Sequence, residues 1–72
     1  MRYMVVIEKT ATSYGAFVPD LPGCVAAGKT EAEALALIEE AIRFHLEDMQ
    51  AAGQQIPLPT SKGAFVDVPL AA

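Results

Sequence analysis

The stretch from Glu31 to Ala52 contains neither glycine nor proline, and it limits what the rest of the chain can become. Leu35, Ile38, Ile42, Leu46 and Met49 recur at steps of three and four, the spacing that lines one face of an α-helix. Thr30 suits the N-cap, and Glu33 follows at the capping-box interval. Glu31 and Glu33 also place negative charge where the helix dipole favours it. Gly53 supplies the stop. A helix over Glu31–Ala52 is about 33 Å long at 1.5 Å per residue, enough to cross a small sheet. In a chain of 72 residues, one such helix covers one face of a sheet and leaves the other open.

The segments around the helix read as strands. Arg2–Lys9 holds Tyr3, Val5, Val6 and Ile7 and reads as a strand buried on much of both faces, so inside a sheet rather than at its edge. Thr10–Ser13 is a polar break, and Tyr14–Val18 completes a hairpin. The sequence Pro19-Asp20-Leu21-Pro22-Gly23 cannot continue a ladder and predicts an ordered turn. Cys24–Ala27 predicts a third strand. Pro57 and Pro59 make an extended connector after the helix. Gly63–Val68 then alternates, with Ala64, Val66 and Val68 on one side and Phe65 and Asp67 on the other, and predicts a fourth strand. The expected fold is therefore α+β and two-layered. It has a four-stranded sheet with one long helix on one face, in the order β-β-β-α-β, forming a single domain over residues 1–72.

A domain this small buries only about 60% of its unfolded surface, yet 53% of its residues are hydrophobic. That imbalance predicts apolar surface shared between subunits, hence a homodimer or higher homo-oligomer. The net charge is −4, and the basic residues Arg2, Lys9, Lys29, Arg43 and Lys62 are scattered. Phosphate backbones are bound by clustered Lys and Arg, so no direct DNA binding is expected. The apolar run Tyr3–Ile7 is too short for a signal peptide or a membrane span, and a cytoplasmic location is expected. Cys24 is the only cysteine, which excludes an internal disulfide.

Chemistry-bearing residues are isolated. His45 has no cysteine or carboxylate at ligand spacing. Cys24 has no base or cation nearby in sequence to activate it and reads as a small buried hydrophobe. There is no dinucleotide fingerprint, phosphate loop or CxxC pair. No enzyme activity, cofactor or metal is expected. Asp20, held between prolines, either caps local backbone N–H groups or presents its carboxylate to a partner. The helix carries Glu31, Glu33, Glu39, Glu40, Glu47 and Asp48 against the single base Arg43. A solvated face accounts for this, and so does an acidic docking face for a basic protein. Glu39, Glu40, Phe44, Glu47 and Asp48 are candidate contacts on that face. Pro19, Asp20, Leu21 and Pro22 form a second, rigid candidate.

The order of several pieces is more specific than any one of them. The strand Tyr3–Ile7 precedes Gly15-Ala16-Phe17-Val18-Pro19-Asp20-Leu21-Pro22-Gly23-Cys24. After these come Gly28, Thr30 and the helix start Glu33-Ala34-Leu35. From about Arg2 to Ile42 the chain resembles the N-terminal domain of the HicB-like antitoxins. The resemblance implies a reduced ribonuclease-H-like fold without that enzyme's acidic catalytic set. It also implies a partner: a small basic toxin of the HicA type, with a double-stranded-RNA-binding-domain-like fold, that cleaves messenger RNA and is neutralised when its active surface is covered. Many such antitoxins add a C-terminal DNA-binding domain, whereas only Pro69–Ala72 follow the expected fourth strand here, so none is expected. The alternative is a stand-alone small nucleic-acid-binding or vestigial nuclease-like domain. A buried carboxylate cluster with a divalent metal would mark it.

Overall fold

Thr10 organises the first hairpin. Its backbone N–H donates to the Ser13 carbonyl at 2.9 Å, and its Oγ1 accepts from the Ser13 N–H at 3.0 Å, the local bonding that favours Thr in turns. This turn joins β1 (Val6–Lys9) to β2 (Tyr14–Phe17), and β3 (Val25–Gly28) follows. The sheet is antiparallel in the order β1-β2-β3. The helix α1 spans Glu31–Ala51. The computed structural model describes residues 1–71.

The helix begins and ends as its sequence requires. Thr30 Oγ1 accepts from the Glu33 N–H at 3.1 Å, while Glu33 Oε1 accepts from the Lys29 N–H at 3.2 Å. The box is therefore closed one residue further out than the usual N-cap amide. At the far end Gly53 takes φ +70°. The Gln54 N–H donates to Met49 and the Gly53 N–H to Gln50, at 2.8 and 3.1 Å. This is the paired Schellman closure.

The core lies between the helix and one sheet face. Ile7 pairs opposite Ala16, and Ala16 opposite Ala26. Ala16, Val18, Leu21, Cys24, Ala34 and Ile38 are buried, with Tyr3, Val5, Ile7, Tyr14, Ile42 and Leu46 packed around them. The helix sits mainly over β3, less over β2 and least over β1. Its seat depends on Gly28, where a Cβ would lie 2.8 Å from the Ala34 backbone nitrogen.

Three sequence expectations are corrected. First, among the described residues the sheet has three strands, not four: the element order is β-β-β-α, and residues 63–68 join no ladder. Alternation supplies a two-sided ribbon, but it becomes a strand only where the chain runs alongside an edge and bonds to it. Here Asp20 holds the connector at Thr60 and Ser61, and beyond Gly63 the chain leaves the body exposed. Second, β1 is an edge strand. Its continuous apolar run arises because one side meets the helix while the other contributes to an apolar open face. Third, the buried line of the helix passes through Ala34 rather than Leu35, which is 43% exposed. The helix backbone lies against Gly28 at Ala34, which is fully enclosed, and Leu35 falls to the side of that line.

Gly28→Ala should destabilise the fold by about 1–3 kcal/mol, because the added methyl meets backbone. Gly15→Ala, whose Cβ would meet nothing closer than 3.9 Å, should change stability by less than about 0.5 kcal/mol. Urea unfolding of the two variants measures the difference.

Candidate functional site

Turn residues 19–23 are fixed from both sides. The Val18 N–H donates to Cys24, Leu21 to Val18, and Cys24 to Leu21, at 3.1–3.2 Å. Gly23 takes φ +85°, a conformation that L side chains rarely adopt. Leu21 is fully enclosed at 0% exposure, so in this chain it anchors the turn from beneath. Pro22 is exposed and Pro19 half-buried.

Asp20 turns its carboxylate on a distant segment. Oδ2 accepts from the Thr60 and Ser61 N–H groups at 3.0 and 2.9 Å. Oδ1 accepts from the Ser61 and Thr60 hydroxyls at 2.8 and 3.3 Å. A carboxylate that accepts backbone N–H donors favours its charged form. The Ser61 backbone and hydroxyl, followed by Thr60, hold the Asp20 carboxyl below its ordinary value. The sequence offered this carboxylate two uses, capping within its own turn or contact with a partner, and the structure gives it instead to Thr60 and Ser61. The Thr-Ser pair behind Pro57 and Pro59 was the available signal. The Tyr3 hydroxyl donates to the Pro57 carbonyl, a second tie between connector and body.

The acidic helix residues divide by role. Glu31 and Glu33 belong to the first turn. Glu39, Glu40, Glu47 and Asp48 are exposed. Arg43 reaches Glu39 at 3.3 Å across one helical turn, with both side chains largely in solvent, where such a pair contributes little. Leu37, Glu40, Phe44 and Glu47 follow one another at three- and four-residue steps along the outside of the helix, and Phe44 is 59% exposed. On the molecular surface the turn and the helix meet where Pro22 and Asp48 line a shared open cleft with His45, Met49 and Pro57. Glu39 lies apart from it, on the Arg43 side.

Cys24 is buried, and burial pushes its thiol pKa up, away from the thiolate that reactivity requires. His45 is half-buried beside the cleft. Among the described residues no group of three or more His, Cys, Asp or Glu is placed to hold a metal ion. No helix among them is long and apolar enough to cross a membrane.

Residues 3–69 match the HicB-like antitoxin family of bacterial toxin-antitoxin systems. The chain belongs to this family. Antitoxin HicB 2 of Photorhabdus laumondii is 39% identical over 74 residues, a match covering 96% of this chain and 50% of that protein. An uncharacterized 14.9 kDa protein of Haemophilus phage HP1 is 38% identical over 69 residues, covering 96% of this chain and 52% of the phage protein. The chain thus spans about half the length of these two relatives. Among solved structures, a chain of the HicA3 and HicB3 toxin-antitoxin complex superimposes with a TM-score of 0.66 at 32% identity, covering 82% of this chain and 72% of that one. HicB-like antitoxins are non-catalytic protein-binding modules.

Asp20→Ala should free the connector without unfolding the body. Amide exchange at Thr60 and Ser61 should accelerate towards that of an open chain, while α1 amides keep their protection. The native carboxyl is depressed, so the clamp is intact above the unfolded value of about 3.9 and is lost as pH falls through the lower folded value. Exchange followed by NMR across that window tests both.

Proposed function

We propose that this domain neutralises a small basic toxin of the HicA type by covering the surface that the toxin uses on messenger RNA. The observation that carries this reading is the outer helix line, where exposed Phe44 stands among Glu40, Glu47 and Asp48. Membership in the HicB-like family and likeness to a chain from a toxin-antitoxin complex support it. A ribonuclease must present positive charge to phosphate. Carboxylates placed around an apolar anchor match such a surface, with charge setting the speed of encounter and the buried anchor its duration. The turn supplies the second element of the contact through Pro19, Asp20 and Pro22, while Leu21, fully enclosed, only holds it from beneath. Pro22 meets the helix face across the shared cleft, and the pre-formed turn loses little ordering entropy on binding. The setting is the cytoplasm, where the toxin's substrate is.

Self-association accompanies this role. The open sheet face carries Val6, Phe17 and Val25 as direct cross-strand neighbours, and Val25 is exposed. An apolar row of this kind favours cover by a second subunit, and a homodimer is the proposed state.

Coexpression with a HicA-type toxin should restore growth and yield a copurifying complex. Reversing Glu39, Glu40, Glu47 and Asp48 to Lys should slow association by roughly ten-fold or more at low salt, with a smaller difference at high salt. Failure of the native chain to bind or rescue would remove the antitoxin role. Unchanged association after reversal would reject the acidic face while leaving the partnership in place.

A further inference from the structure

Beyond Gly63 the chain carries a strand-forming pattern with nothing to pair it. Phe65, Val66, Val68 and Leu70 are all exposed, Phe65 completely at 105%. Aromatic and β-branched residues at successive positions are what paired strands carry. In water, their side chains and the backbone groups between them both favour a partner. The outer edge of β1 has the complementary vacancy, since β1 is bonded only to β2. Root and edge lie together. A Cβ on Gly63 would sit 3.1 Å from Met4 Sδ, and Arg2, Tyr3 and Met4 share one cleft with Ser61, Lys62 and Gly63. The root is also fixed, because Asp20 grips Thr60 and Ser61 just before it.

We propose that residues 64–68 are an exchange arm that lies as a strand along the outer edge of β1 in a second copy of this chain, and that the second copy's arm is received in return. The inference rests on the self-association proposed above and adds to the open sheet face a second contact, arm against β1 edge, that holds the two copies together. Within one chain these residues remain unpaired; the pairing is between copies. Two features favour a second copy as the occupant. The arm's departure point and its acceptor edge start at the same place on each molecule, so one two-fold axis near Met4 serves both exchanges. Such an isologous arrangement closes at two subunits rather than growing. The arm also carries its own brakes: Asp67 places a charge within it, and Pro69 lacks the N–H needed to extend a ladder. Main-chain bonding of this type gives affinity without a deep pocket, which suits an edge bordered by an open cleft.

Val66 is exposed and makes no bond in the single chain, so Val66→Pro removes an arm N–H without disturbing the core. Light scattering on the full native chain at micromolar concentration should give twice the 7.6 kDa chain mass. Val66→Pro and Val66→Asp should each give the single-chain mass with an unchanged helical circular dichroism signal. Amides of residues 5–7 and 64–68 should exchange about tenfold or more slowly in the native protein than in either variant. Variants that remain dimeric would overturn the exchange arm while leaving self-association standing. A monomeric native chain would overturn both. Protection at 64–68 without any at β1 would also reject the edge as the arm's seat.

Discussion

The approach of α1 to the end of β3 governs the rest of the architecture. Only Lys29 and Thr30 separate the strand from the helix, and the missing side chain at Gly28 lets the helix backbone come almost into contact with it. That contact seats the helix over β3 and puts Ala34 and Ile38 on Ala16, Val18 and Leu21. It also decides what stays uncovered. The β1 side receives the least of the helix, so Tyr3, Val5 and Ile7 are only half-buried and the β1 edge stands open. The reverse sheet face, carrying Val6, Phe17 and Val25, has no second helix to cover it.

A second constraint ties down the end of that thin construction. Asp20 projects from a turn whose backbone is closed on itself, and four donors from Thr60 and Ser61 converge on its carboxylate. Together with the bond from Tyr3 to Pro57, this brings the connector back beside the first residues of the chain. The turn therefore has two faces: Leu21 reaches into the core, while Pro22 looks out beside Asp48. A segment rigid in both directions is suited to presenting a fixed shape to a partner.

Local rules were legible in the sequence where one residue type answers one backbone need. Thr30, Glu33 and Gly53 mark the ends of the helix, Thr10–Ser13 the hairpin and Gly23 the turn, and each is found in that role. Relations between distant segments were hidden. The alternation of residues 63–68 describes a surface that can pair, and nothing in it says whether the chain runs along an edge or away from it. The apolar run in β1 looks the same for an interior strand as for an edge strand with an apolar open face. Leu35 and Ala34 compete for one inward position, and the choice depends on where the helix backbone meets β3 at Gly28, which periodicity does not register. The acids of the helix were visible as composition. Their division into capping residues at the start and an exposed line around Phe44 needed three dimensions.

The proposed contact with a toxin lies on the outer helix face. Its most direct test is an NMR titration of the isotopically labelled chain with unlabelled, catalytically inactive HicA-type toxin. The predicted result is saturable perturbation centred on Glu40, Phe44, Glu47 and Asp48 and extending across the cleft to Pro22 through its neighbours, with the Glu31–Glu33 turn unaffected. Perturbations confined to other surfaces, or none at stoichiometric toxin, would contradict it.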